Sequence, residues 1–163
     1  MFVSVNLSGR QLDTAVLIDN VRAILARTGL DPGLLGLEIT ESVIMHNTET
    51  TVQRLNELRE LGVGFAIDDF GTGYSSLSYL RSFPVDELKI DRSFIETIAE
   101  DPAAVPLVAT IVQLARALSL TTVAEGVETQ AQFDLLKELG CDRVQGFFFA
   151  RPAPVEIALA LAS

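Results

Sequence analysis

Six short runs rich in β-branched and other apolar residues punctuate the chain: "FVSVNLS" at 2–8, "LLGLEIT" at 34–40, "GFAIDDF" at 64–70, "ELKID" at 87–91, "TTVAEGV" at 121–127 and "RVQGFFF" at 143–149. Each reads as a strand. Between them the apolar period lengthens to that of a helix, as in "TVQRLNELREL" from Thr51, with leucines at 55, 58 and 61, and "PLVATIVQLARAL" from Pro106. Asp101-Pro102 resembles a helix N-cap with proline in the first turn, and Gly29, Gly62 and Gly140 stand where helices should stop. Regular alternation of strand and helix implies parallel strands joined by right-handed crossovers, hence a doubly wound sheet or a barrel. Asn6, Glu38, Asp68, Asp69, Lys89, Glu125 and Gln145 all fall toward the C-terminal ends of successive strands. In a barrel those ends converge on one mouth, whereas an open sheet spreads them along a line, so the polar pattern favours a barrel.

Composition narrows the picture. With 163 residues, 48% of them hydrophobic, the chain has enough apolar material for one domain with a substantial core. No apolar run approaches the roughly 20 residues of a membrane span, and no basic leader precedes the first strand, so a soluble, cytoplasmic domain is expected. Cys141 is the only cysteine and reads as a packing residue; neither an intrachain disulfide nor a cysteine zinc site is available. Twelve Lys and Arg against 22 Asp and Glu give a net charge of −10, which argues against a nucleic-acid polymer as partner. A phosphate-bearing ligand would need metal ions as intermediaries.

The adjacent pair Asp68-Asp69 is then the sharpest feature. Like charges sharing a poorly solvated site raise each other's pKa, so something cationic is called for. Glu38, Asp68, Asp69 and Glu125, with the amide oxygen of Asn6, make an oxygen-rich set suited to Mg²⁺ or Mn²⁺ rather than zinc. Asp68 could bridge two cations while Asp69 completes the second, the arrangement common in phosphodiester cleavage. Adjacent strand residues face opposite ways, so both can reach one mouth only if the strand ends or bulges there; Gly71 and Gly73 supply the freedom. His46, the only histidine, reads as a surface residue near a helix start.

These residues lie in motifs that resemble the EAL-domain family, phosphodiesterases that linearise cyclic di-GMP. The matching stretches are "VNLS" at 5–8, "LEITES" at 37–42, "DDFGTGYSSLSYL" at 68–80, "FPVDELKIDRSF" at 83–94, "VAEGVET" at 123–129 and "QGFFFARP" at 145–152. The resemblance implies a two-metal site in which Asn6, Glu38 and Asp68 bind the first ion, with Asp68 shared and Asp69 and Glu125 on the second. Lys89 would hold the attacking water or stabilise charge on the phosphate, with Glu128 and Gln145 supporting that lysine, the water and the nucleotide. Glu41 would anchor the loop from Phe70 to Ser76, and Tyr74 would pack within it. Two plainer readings stand beside these: Glu41 and Glu128 each also suit an acid in a helix's first turn.

The Glu-Ala-Leu tripeptide that names the family is absent from the sequence, as is an arginine expected shortly after it. A complete (β/α)₈ barrel takes about 250 residues, 200 at the least. The expectation is therefore an incomplete TIM-type barrel of about six parallel strands, residues 1–163 forming the C-terminal two-thirds of an EAL-type domain. Its first metal site would be weakened and its turnover low; the alternative is a non-catalytic cyclic di-GMP signalling module. Exposed sheet edges would favour a homodimer or higher oligomer.

Overall fold

The computed structural model describes residues 2–45, 49–73 and 80–157; His46 and Tyr74, read above as a surface and a loop residue, lie outside them. All six runs form strands: β1 (Val3–Asn6), β2 (Leu35–Thr40), β3 (Gly64–Phe70), β4 (Glu87–Ile90), β5 (Thr121–Ala124) and β6 (Arg143–Val144). They pair in sequence order, every pair parallel. The result is a half-barrel, an incomplete TIM-type architecture. The helices are α1 (Gly9–Leu12), α2 (Leu17–Thr28), α3 (Glu41–Met45), α4 (Glu49–Glu60), α5 (Arg92–Glu96), α6 (Ala104–Ala117) and α7 (Gln130–Leu139). No helix among the described residues is long and apolar enough to cross a membrane.

The period of two explains which face is which. Leu37 and Ile39, Phe65 and Ile67, and Leu88 and Ile90 are buried, and form one core with Leu55 and Leu58 of α4, Val108 and Val112 of α6, and Leu136 of α7. Their neighbours Glu38, Ala66, Asp68, Glu87 and Lys89 take the other face, the inside of the half-barrel. Gly29 and Gly140 end α2 and α7 in the left-handed conformation, as their positions suggested.

Several element ends differ from the sequence reading, as at β5, which stops at Ala124 where the run continues to Val127, and two of the differences have a visible cause. The helix expected to start at Asp101-Pro102 begins at Ala104: the Asp101 carboxylate accepts from the Ala103 N–H and closes a turn ahead of the helix instead of capping it. The strand expected over 143–149 stops at Val144. There Gly146 passes so close to β5's continuation that a Cβ would lie 2.2 Å from the Val127 carbonyl oxygen. The three phenylalanines that follow turn away, and Phe148 and Phe149 pack against Phe133 of α7 at centroid distances of 5.9 and 5.8 Å.

Two acids fasten the N-terminal ends of the strands. Asp86 accepts the Phe65 N–H at 3.0 Å while Arg59 grips both its carboxylate oxygens. Asp142 accepts from the Thr122 N–H at 2.8 Å and the Thr122 hydroxyl at 2.7 Å, and these bonds hold its carboxyl below the usual range. Asp142→Ala is expected to cost about 1 kcal/mol of unfolding free energy in urea melts. Because the folded-state pKa lies below the unfolded one, that contribution is complete above about pH 4 and fades as pH falls further, so wild-type and variant melts should converge in acid. A gap that stays constant down to pH 2 would assign the effect to packing.

Candidate functional site

The site begins with an irregularity in β3. The β3–β4 ladder pairs Ile67 with Leu88 and Phe70 with Ile90, three steps on one strand against two on the other. The extra residue is accommodated at Asp69, whose φ of +54° is left-handed, a conformation aspartate tolerates better than most residues. The bulge lets Asp68 and Asp69 approach the same mouth while Phe70 returns to the core. Asp68, Asp69 and Glu125 thus each bring one carboxylate oxygen within 4.8 Å of the others.

Lys89 stands among these acids, its residue 5% exposed. Its Nζ lies 2.7 Å from Glu38 Oε2, 2.8 Å from Asp68 Oδ1 and 2.7 Å from Glu125 Oε1. Burial alone would lower the pKa of the ammonium; hydrogen bonds to three carboxylates outweigh it and hold the pKa above its ordinary value. Glu125 is pushed upward by burial despite its pairing with Lys89, because Asp68 and Glu38 add like charge nearby. Asp69 is also raised, first by desolvation and then by Asp68 and Asp91.

The remaining residues divide. Asn6 ends β1 directly opposite Glu38 in register. Gln145 donates from Nε2 to Glu125 Oε1 at 2.7 Å, tying the end of β6 to that of β5. Glu128 stands apart from the ion pairs of Lys89: it is exposed, its N–H donates to Gln132 Oε1, and it lines an adjacent cavity of about 570 Å³ with Arg92, Glu125, Gln145 and Arg151. In that cavity the Arg151 guanidinium lies 4.7 Å from the Phe147 ring centroid. Glu41, 3% exposed, accepts the Gly71 N–H at 3.0 Å and the Gly73 N–H at 3.3 Å through Oε2. These two bonds fasten the start of the loop after β3 to the end of β2. Asp91 was missed by the sequence reading. It caps α5 through the Ser93 N–H and its carboxyl faces Asp69; its position two residues beyond Lys89, on the same face of the strand, was the available signal.

The model of the EAL domain family matches residues 1–152. This chain belongs to the EAL-domain family. It is 50% identical over 158 residues to the bifunctional diguanylate cyclase/cyclic di-GMP phosphodiesterase MucR of Pseudomonas aeruginosa, covering 97% of this chain and 23% of MucR. It is similar to the phosphodiesterase PaMucR solved with c-di-GMP, with a TM-score of 0.91 and 49% identity over 96% of this chain and 64% of that one. It also resembles Klebsiella pneumoniae BlrP1, solved with manganese and c-di-GMP, with a TM-score of 0.85 and 33% identity over 93% of this chain and 39% of that one. The EAL chain thus spans about a quarter of the length of the curated relative it matches.

The Glu41 contacts carry a direct test. Glu41→Ala leaves two loop N–H groups without their acceptor, a loss of about 1–2 kcal/mol. Hydrogen exchange at Gly71 and Gly73 should accelerate while the β4 amides stay protected. Unchanged exchange at both glycines would show that something else holds the loop.

Proposed function

We infer that this chain carries the hydrolytic centre of a metal-dependent cyclic di-GMP phosphodiesterase. The observation that carries the reading is the convergence of Glu38, Asp68 and Glu125 on Lys89, with Asp69 brought to the same mouth by the bulge. The donors there are oxygens, and among the described residues no cysteine or histidine joins them, which fits a hard divalent cation. Asn6, Glu38 and Asp68 would hold one Mg²⁺ or Mn²⁺, and Asp69 and Glu125 would hold a second through the shared Asp68. Such ions, when bound, supply Lewis acidity and a water acidified enough to attack phosphorus.

The chain's own groups do the rest. Lys89 places a fixed positive charge where negative charge develops on the phosphoryl oxygens, a contribution that needs no reorganisation during reaction. Gln145 fixes the Glu125 carboxylate by its 2.7 Å bond and lines the cavity. Glu128 and Gln145 would hold the nucleotide there, beside Arg92 and Arg151, which also line the cavity. Glu41, through Gly71 and Gly73, would couple the loop's order to occupation of the site.

Thermal melts with Mg²⁺ or Mn²⁺ and a cyclic di-GMP hydrolysis assay test this directly. The metal should raise the melting temperature, and Asp68→Asn should remove that rise, since an ion that binds only the folded chain must stabilise it. Turnover by these 163 residues alone is expected to be low, because the Glu-Ala-Leu ligand and its following arginine are not among them. Adding a segment that bears both should raise it, and Lys89→Ala should abolish it again. Cyclic di-GMP binding without hydrolysis in that longer chain would identify a non-catalytic signalling module.

We also propose that the chain self-associates. β1 and β6 are the edges of the sheet, and Phe2 and Val5 at the β1 edge are 48% and 47% exposed. Light scattering should show mass rising with concentration toward a homodimer or higher oligomer. A constant monomer mass would show that these edges do not pair.

A further inference from the structure

Lys89 is more than a donor to a phosphate. An ammonium has three N–H bonds, and here three carboxylates stand 2.7–2.8 Å from it, from β2, β3 and the end of β5. Asp68 and Glu125 also belong to the group of oxygens within 4.8 Å that includes Asp69. The lysine and a divalent cation would therefore draw on the same carboxylates. We propose that Lys89 is an internal counter-cation that holds Glu38, Asp68 and Glu125 together while the site lacks a divalent ion, and that releases at least one of them when an ion enters. The proposal rests on the metal-dependent reading of this site.

The physical case is one of charge and access. Four carboxylates face one ammonium at the mouth, so the acids would spread apart without it. A lysine suits the task better than an arginine would. Its charge is a compact point on a flexible stem, so it can let go of one acid and keep another, whereas a planar guanidinium fork is committed to its geometry. The carboxylates cannot offer the same lone pairs to both cations, and the lysine's residual charge opposes the incoming ion.

The chain has only two lysines, Lys89 and Lys137, and Lys137 lies exposed on α7. In protein labelled with ¹⁵N at lysine, the Lys89 ammonium protons should exchange slowly with water and Lys137 should serve as an internal reference. Saturating Mg²⁺ should accelerate Lys89 exchange about tenfold or more and leave Lys137 unchanged. Equal protection of Lys89 with Mg²⁺ bound, as judged by the thermal shift, would overturn the proposal. Failure of Mg²⁺ and Mn²⁺ to bind at all would instead overturn the metal-dependent reading, and this inference with it.

A second arm uses Lys89→Met. Its metal-free melting temperature should fall, while Mn²⁺ affinity, read by the electron paramagnetic resonance of the free ion, should rise about tenfold because a repelling charge has gone. If Lys89 served only to shape the site, its loss would scatter the ligands and weaken Mn²⁺ binding, and that result would sink the idea. Should Lys89→Met fail to fold, exchange in the unaltered chain still decides.

Discussion

Like charges gathered in a half-buried mouth repel one another, and the placement of the polar residues at this mouth answers to that constraint. At an effective dielectric constant of about 20, two carboxylates 4 Å apart oppose each other by about 4 kcal/mol. Lys89 is the cation that closes the account among Glu38, Asp68 and Glu125. It sits on β4, beside β3 and β5, so acids from three different elements reach it without the chain crossing itself. The arrangement is strong only when complete: removing one partner of a buried, hydrogen-bonded ion pair typically costs about 3–5 kcal/mol, because the surviving charge is left unpaired.

The same constraint reaches the backbone. A regular β3 would send Asp68 and Asp69 to opposite faces, and one of them would be driven into the apolar layer beneath α4. The slipped register between Ile67 and Phe70 avoids this, at the strain of a left-handed aspartate. The chain then needs somewhere to go, and Gly71 and Gly73 give it a tight exit. Gly73 is required for a steric reason as well, since a Cβ there would lie 2.8 Å from Glu41 Oε1. Glu41 can accept from both glycine N–H groups because nothing larger than hydrogen stands between.

Much of this was legible in the sequence, for identifiable reasons. Strands with one buried face announce themselves by alternation, which is why the β2 and β3 runs emerge with nearly their observed ends, and why the acids could be placed at strand termini. The bulge was legible because two adjacent aspartates have no sensible home on a regular strand. What escaped was whatever serves two purposes or depends on long-range packing. The sequence pattern puts Asp91 at the end of the strand run 87–91, whereas it caps α5, and neither position reports its contact with Asp69. Glu128, which the family resemblance linked to Lys89, lies beyond the left-handed turn at Gly126 and lines the cavity. The end of β6 depends on Val127, nearly twenty residues away, which no local pattern reports.

Asp86 and Asp142 were equally invisible, since an acid ahead of a strand looks like an ordinary turn residue. Their position at the opposite end of the sheet from the cluster suggests a division between stability below and chemistry above, but the two are coupled through register. A strand displaced by one residue exchanges its faces completely. Were β4 to slip in this way, Lys89 would turn toward the helices and Leu88 or Ile90 would enter the mouth, leaving the acids without their cation. Asp86 lies three residues before Lys89 and binds β3 through the Phe65 N–H, with Arg59 of α4 locking it in place. The bond that sets where β4 begins therefore sets which side Lys89 faces, and a residue far from the mouth determines whether the mouth holds a charge-compensated site at all.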